Sequence, residues 1–581
     1  MRLRLTFCAL TVLFAMQSQV WAQTPASPAQ EEQQLRQQEE LQRQRERLQR
    51  DATPEPTPAA PTPAAPGLSD QPCFVVHTIR LDGVTRLDTQ TVQRLTADYQ
   101  GRCMGLLSID QLMRAITQTY IDAGYVSARA YMQEQDISQG LLVLTVAEGI
   151  LEGIDWNGEE KTLPLLRKAF GDIVGKPLNM RDIEQGIDQL SRLSSLEVVT
   201  QIKPGRKPGQ SRVDVRVQEG LALKASSSLS NQGLESSGKY RYGLGFRLEN
   251  ALGHAESISV NLGRSSNNAL SLSNEERPGS NSVSIAASLP FGYWLLSGDV
   301  FWSEYQGSLQ TSLGTQIKTS GNALNSHMAL ERVVFRDKSQ KLRVHADVSR
   351  AAMENYLSVF SSSPTLLELQ SRVNSSFQCG LLYSLATDGA IWTLAFDRKQ
   401  GIDAFGATAP GDAKLAGRDV LGQKYLVDVG LLKLFQVGQQ AMQYQGSLSM
   451  QQSDNNLLGE EQMSVGGPSS VRGVPSGMFS GNTGLYLRNT VSTRFKVAET
   501  SAWHAWTDSL EPYLGLDYGR IAAQPERGIV EGELVGAAIG MRTRSRWYSL
   551  DVGFEGLLDA HPVAADFQRP TRWYFNLQVL F

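Results

Sequence analysis

From about residue 222 to the end, apolar and polar positions alternate in runs of roughly ten residues, the length of a strand that crosses an outer membrane. Tyr240, Tyr242, Leu244, Phe246 and Leu248 are separated by Arg241, Gly243, Gly245 and Arg247. Trp392, Leu394 and Phe396 alternate with Thr393, Ala395 and Asp397, and Tyr548, Leu550, Val552 and Phe554 with Ser549, Asp551 and Gly553. The last run is Trp573, Phe575, Leu577, Val579 and Phe581, with Tyr574, Asn576 and Gln578 between. A period of two puts the two sets on opposite faces of a strand. One face suits lipid and the other a wet lumen. A soluble β-sandwich also alternates, but aromatic strand ends, a closing Phe581 and an export signal occur here together. The pattern predicts a transmembrane β-barrel over 222–581 whose last strand carries the C-terminal barrel signal.

The pattern differs upstream. Arg2 and Arg4 precede an apolar stretch from Leu5 to Met16, and Val20-Trp21-Ala22 precedes Gln23. A basic, apolar and small-residue order predicts a signal peptide over 1–22. No later apolar run is long enough for a membrane-spanning helix. Residues 31–50 are nearly all Gln, Glu, Arg and Leu, good helix formers, yet Leu35, Leu41 and Leu48 make no core-facing stripe. That predicts a helix polar all round. A Pro- and Ala-rich linker over 51–71 ties it to the rest.

Two compact units follow, over 72–149 and 150–221. In the first, Val75, His77, Ile79 and Leu81 are expected on one strand face, and a helix is expected over 88–99. A second helix is expected to start at Ser108, capped with Gln111, and to bury Ile109, Leu112, Ile116 and Tyr120 until Gly124 stops it. Leu142, Leu144 and Val146 mark a strand that closes on Glu148-Gly149. The second unit repeats the plan. It has a strand at Gly153–Trp156, helices at Pro164–Phe170 and around Ile183, Ile187 and Leu190, and a strand at Val213, Val215 and Val217 closing on Glu219-Gly220. The two Glu-Gly endings lie roughly 70 residues apart, an internal repeat. The element order argues for two α+β domains in series.

Composition removes several functions. The net charge of -4 gives no basic field for nucleic acid. Six scattered His suggest neither a metal site nor a catalytic pair. There is no Gly-x-Ser-x-Gly elbow, no His-Glu-x-x-His and no phosphate-binding loop, so neither an enzyme nor a cofactor is expected. Cys8 leaves with the signal peptide. Cys73 and Cys103 bracket one short segment of an exported chain and are expected to form a disulfide, whereas Cys379 reads as an ordinary strand residue.

Two segments stand out within the barrel. Gly466-Gly467-Pro468-Ser469-Ser470-Val471-Arg472-Gly473-Val474-Pro475 is a loop by its Gly and Pro content. In Pro512–Arg520, Leu514, Leu516 and Tyr518 share one face, so Gly515, Asp517 and Gly519 share the other. If the apolar face meets lipid, Asp517 projects into the lumen between glycines that admit a close backbone approach. A carboxylate there favours a cation, and Arg binds it through two parallel hydrogen bonds.

The chain resembles a known family at this point. Gly124-Tyr125-Val126, Glu134-Gln135-Asp136 and Thr145–Gly149 look like the first POTRA domain of two-partner secretion transporters. Asn250-Ala251-Leu252-Gly253, Leu289–Trp294 and Val471-Arg472-Gly473 resemble the barrel of the same family. This is the TpsB group, which includes the haemolysin and filamentous-haemagglutinin secretion/activation proteins. The resemblance implies an N-terminal plug helix at 31–50, two periplasmic POTRA domains, and a barrel of about sixteen antiparallel strands in the bacterial outer membrane. It implies a large unfolded exoprotein with an N-terminal secretion domain as partner, with outer-membrane lipid around the barrel and the barrel-assembly machinery needed for insertion. It also implies that Arg472 reaches Asp517. The sequence departs from the family twice: Val474 stands where an aromatic follows Val-Arg-Gly, and Gly515 where a Phe precedes the Asp. The alternative is an outer-membrane assembly factor of the related superfamily, but those usually carry more POTRA domains.

Overall fold

The computed structural model describes residues 70–581 apart from 235, 269–278, 311–315, 359–365, 475, 502–505 and 563–568. The expected signal peptide, the polar helix at 31–50 and the linker up to residue 69 lie outside the described residues.

The first unit comprises β1 (Phe74–Val76), β2 (Thr78–Asp82), α1 (Thr89–Ala97), β3 (Arg102–Met104), α2 (Leu106–Asp122), β4 (Arg129–Tyr131) and β5 (Leu141–Ala147). The single strand expected from Val75 to Leu81 is broken. The backbone N–H groups of His77 and Thr78 both donate to the carbonyl of Gly140, at 2.8 and 3.0 Å, so the chain kinks there. Val76 therefore enters the core and Val75 is exposed. β1 pairs with β3 instead, and Cys73 and Cys103 are joined beside that pair with their Cα atoms 5.4 Å apart. α2 starts two residues before Ser108, and the expected capping box does not form. Asp70 accepts from the Ser108 backbone N–H at 2.9 Å and from its hydroxyl at 2.8 Å. A carboxylate from outside the helix thus satisfies the free first-turn donor and complements the helix dipole. The predicted apolar face, Ile109, Leu112, Ile116 and Tyr120, packs on Leu142, Leu144 and Val146.

The second unit comprises β6 (Ile150–Trp156), α3 (Pro164–Phe170), α4 (Met180–Ser191), β7 (Leu196–Pro204) and β8 (Gln210–Glu219). Its sheet order is β6-β8-β7, and that of the first unit is β2-β5-β4. In both, the middle strand runs parallel to the first and antiparallel to the third. The repeat is therefore one of topology as well as of sequence. Ile183, Ile187 and Leu190 pack on Val213, Val215 and Val217. Gly186 lets α4 lie against Phe170, since a Cβ there would fall 2.1 Å from the ring.

The remainder closes into a barrel of sixteen antiparallel strands, from Leu223–Ser230 to Thr571–Leu580, which pair with each other. The twelfth strand is interrupted, its two-residue tail Phe495–Lys496 continuing Gly484–Thr493. Leu244, Phe246, Trp392, Phe396 and Phe554 point outward and are exposed, as the alternation predicts. Between them, Asp397 and Glu555 are buried on the inner face. Trp573, Phe575, Leu577 and Val579 alternate with the buried, inward Tyr574 on the closing strand, and the Phe581 N–H donates to Ala225 at 2.9 Å. Cys379 is a free, exposed thiol.

α4 seats the second unit on one mouth of the barrel. The Tyr293 hydroxyl donates to Asp182 at 2.6 Å, and the Gln189 amide donates to the Gly292 carbonyl at 2.8 Å. Arg336 and Lys341 reach Asp188 at 2.6 and 2.7 Å. Burial pushes the Asp188 carboxyl up, but these two cations outweigh it and hold the group below its ordinary value. Short turns such as Gly292-Tyr293 and Asp388-Gly389 occupy this mouth. The long connections 402–422 and 453–483 leave from the other.

Candidate functional site

The connection 453–483 leaves the far mouth between strands Gln440–Gln452 and Gly484–Thr493, then folds back into the lumen. Met463–Val465 and Phe479–Gly481 pair as a short antiparallel ribbon, so the intervening tip is presented at its end. The Ser470 hydroxyl donates to the Gly466 carbonyl at 2.9 Å and accepts from its N–H at 3.0 Å, which closes the tip.

The tip lies on the wall strand Ser509–Ile521. Arg472 Nε donates to Asp517 Oδ2 at 2.6 Å and Nη2 donates to Oδ1 at 2.7 Å, a two-pronged pair. The Arg472 backbone N–H adds a third bond to Oδ2 at 3.1 Å. Nη2 also donates to the Asn489 carbonyl at 2.8 Å and to Thr490 Oγ1 at 3.2 Å. Both side chains are almost wholly buried, at 3% and 0% exposure. Leu514 and Leu516, on the other face of the same strand, are exposed.

Glycines make this approach possible. A Cβ on Gly515 would stand 2.2 Å from Arg472 Nη2, so the guanidinium occupies the space of the missing side chain. This accounts for the absence of an aromatic at that position. A Cβ on Gly519 would meet Val471 at 2.8 Å. Gly473 has a φ of +88° and lies backbone to backbone against Gly556. Sequence reasoning missed Gly556 and also Gly536, where a Cβ would stand 1.9 Å from the Arg472 carbonyl oxygen. Val474, at the position of the expected aromatic, is buried in an apolar cluster with Val465, Val471, Phe479, Ile521, Leu534 and Leu557. Loop and wall thus form a small hydrophobic core inside the barrel, with one ion pair at its edge.

A second anchor was also missed. At the base of the same loop, Arg372 and Glu460 form a buried two-pronged pair. Glu461 receives Lys399 at 2.7 Å and Lys424 at 2.8 Å, and Asn374 donates to it at 3.1 Å. These partners stand on the three strands Leu366–Thr387, Ala390–Gly401 and Gln423–Val437, away from Asp517. The available signal was Lys399 at the inward parity of Asp397, which leaves a buried cation without a local partner. Two His that looked scattered also meet at Asp347: His345, on the same strand, contacts it at 2.5 Å, and His327, on the neighbouring strand, at 3.4 Å. Among the described residues no cluster has the geometry of a metal site.

Residues 209–543 match the family model of haemolysin secretion/activation proteins ShlB/FhaC/HecB. The chain belongs to that family. Residues 74–149 match the ShlB-type POTRA domain, and 150–204 match a POTRA domain. The chain is 32% identical over 488 residues to the outer membrane transporter CdiB of Dickeya dadantii, covering 83% of this chain and 82% of that one. It is 26% identical to the hemolysin transporter protein ShlB of Serratia marcescens, covering 87% and 86%. The solved structure of CdiB from Escherichia coli superposes with a TM-score of 0.83 at 29% identity, over 96% of this chain and all of that one. The chain is an outer-membrane transporter of the two-partner secretion type, with its POTRA domains in the periplasm. The mouth that carries α4 is therefore the periplasmic one.

Proposed function

We propose that the inward loop 453–483 is the movable element of the translocation path, and that Arg472 and Asp517 hold it in the resting position. The observation that carries this reading is the buried two-pronged pair, together with the glycines cut away to receive it. Burying two charges costs about as much as their attraction returns, so such a pair adds register more than stability. Removing one partner of a buried pair, however, costs about 3–5 kcal/mol. A contact of this kind defines one loop position sharply, yet it can be exchanged for hydrated partners once water enters the lumen.

The cargo in this reading is a large exported protein that arrives unfolded and carries an N-terminal secretion domain. The POTRA sheets offer edges at β4 and β7, with Tyr131, Val199 and Ile202 exposed along them. An extended segment can add to such an edge through main-chain bonds without being folded. The polar segment 31–50, on its Pro- and Ala-rich tether, is a lumen plug that withdraws with the loop. Cargo folding outside supplies the drive, since the sequence has no phosphate-binding loop. The chain is not a catalyst in this reading, and hydrolysis of a chromogenic ester or peptide by the pure protein would contradict that. Insertion of the barrel requires the barrel-assembly machinery, and lipid surrounds it thereafter.

The test is co-expression with a candidate cargo, a large exported protein that carries an N-terminal secretion domain. Arg472→Ala should insert normally, migrating differently on gels before and after boiling, and should release much less cargo into the medium. Undiminished release would refute the role of the pair.

A further inference from the structure

Arg472 is not the only guanidinium facing Asp517. In the ladder between strands Gly484–Thr493 and Ser509–Ile521, the residue directly opposite Asp517 is Arg488. Directly opposed residues on one face of an antiparallel pair have Cβ atoms about 4.5–5.5 Å apart. Arg488 shares the inner face with the buried Tyr486 and Thr490, while Leu487 between them is exposed outward. Its electrostatic neighbours are Arg472, Asp517 and Arg542.

The other cations of this patch have their acceptors. Arg542 reaches Asp551 at 3.2 Å and Glu511 at 3.3 Å, and lies 4.3 Å over the Tyr513 ring. Arg494 reaches Glu511 at 2.8 Å. The Arg488 guanidinium makes no hydrogen bond or ion pair with any described residue. The reason lies in Asp517. Its Oδ1 already accepts from Arg472 Nη2 and from the Asn489 backbone N–H at 3.3 Å, and its Oδ2 from Arg472 Nε and N. The cross-strand neighbour is thus displaced from the carboxylate by a residue that comes from a loop.

We propose that Arg488 is a positioning residue, the standby partner of Asp517, which takes over the carboxylate when the loop withdraws and carries Arg472 away. The proposal rests on the reading that the loop leaves the lumen. With Arg488 in place, loop withdrawal exchanges one Arg–Asp pair for another instead of leaving a carboxylate alone in the wall. A small gap between two states is what lets a modest input, such as an arriving chain, shift the population. Like-charge repulsion between Arg488 and Arg472 in the resting state acts in the same direction.

The loop's position can be read without any label. Arg472 is buried at rest, so trypsin added outside vesicles or proteoliposomes holding the full-length protein cuts between Arg472 and Gly473 only when the loop is out. The new terminus at Gly473 is detected by mass spectrometry. Arg488→Gln should slow this cut roughly tenfold, the effect of leaving one charged acceptor without its partner, and Arg488→Lys should restore part of the rate. Asp517→Asn should speed the cut, and Arg488→Gln added to Asp517→Asn should then slow it much less than Arg488→Gln does alone, only the repulsion from Arg472 being left to lose. A wild-type rate in Arg488→Gln would overturn the proposal. So would an equal slowing in the Asp517→Asn background, which would assign the effect to repulsion from Arg472 alone. If Arg488→Gln fails to assemble, shown by identical migration of boiled and unboiled samples, Arg488→Lys decides by itself: a cut rate below wild type supports the proposal and an unchanged rate overturns it. Secretion of cargo is measured in parallel. Loop exit that follows these expectations while secretion ignores it would overturn the translocation reading and leave the standby role of Arg488 intact.

Discussion

The tip and the base of the inward loop are held by the same chemistry with the signs exchanged. At the tip, a loop cation, Arg472, meets a wall anion, Asp517. At the base, the loop anions Glu460 and Glu461 meet the wall cations Arg372, Lys399 and Lys424. The exchange means that a loop folded in the wrong sense would set like against like, so opposed signs specify direction as well as depth. The two ends also differ in what surrounds the charges. The tip is backed by the large apolar cluster around Val471 and Val474, whereas the base combines its ion pairs with a smaller cluster of Leu458, Leu415 and Val420 and with amides such as Gln451, which donates to the Glu461 carbonyl at 3.0 Å. The pairs at both ends are buried, so salt screens neither of them strongly.

Substitutions can break or sharpen this contrast. The largest effect is expected from Arg472→Ala, which leaves Asp517 buried without its partner. The inward position should lose about 3–5 kcal/mol, read as a rise in ion conductance across planar bilayers. Gly515→Val should come close to it with both charges intact, because its Cβ would take the space of the guanidinium, 2.2 Å from Nη2. If Gly515→Val conducts like the wild type, close approach of the loop is not what holds the tip.

Glu461→Gln should act less strongly, at about 1–3 kcal/mol. Lys424 keeps its bonds to the Glu461 carbonyl at 2.8 Å and to Gln451 at 3.3 Å. Hydrogen exchange should then rise in 456–462 and stay slow at the tip. Equal exchange at both ends would show that the two anchors release together.

The smallest effect concerns a third set of charges, outside the lumen. Asp188 is held below its ordinary value where α4 meets Arg336 and Lys341. A carboxyl depressed in the docked state contributes fully above its ordinary value of 3.8 and loses that contribution as pH falls below it. Cross-linking between α4 and the turn 337–339 should therefore persist at neutral pH and weaken under acid, and Asp188→Asn should remove the pH dependence.

The reach of sequence reasoning followed the distance over which each feature is decided. The inward face of Gly515, Asp517 and Gly519 was legible because a period of two needs only five residues. The partner of Asp517 became legible through the resemblance carried by Val471-Arg472-Gly473, not through spacing, since the two lie 45 positions apart. The anchor at Glu460 spans 88 positions, and nothing near it in the chain announces Arg372. The break at His77 was hidden for the same reason: its cause is the carbonyl of Gly140, far along the chain. The helix start at Leu106 depended on Asp70, outside the helix.

The sequence by itself determined the kinds of element, the two repeated α+β units, the alternating wall and the side of each strand that faces water, because these follow from local period and composition. Only the tertiary structure decided which loop fills the lumen, which wall strands hold its two ends and which arginine is left without an acceptor. Those outcomes depend on closing the sheet into a ring, and closure brings together residues that no local pattern along the chain relates.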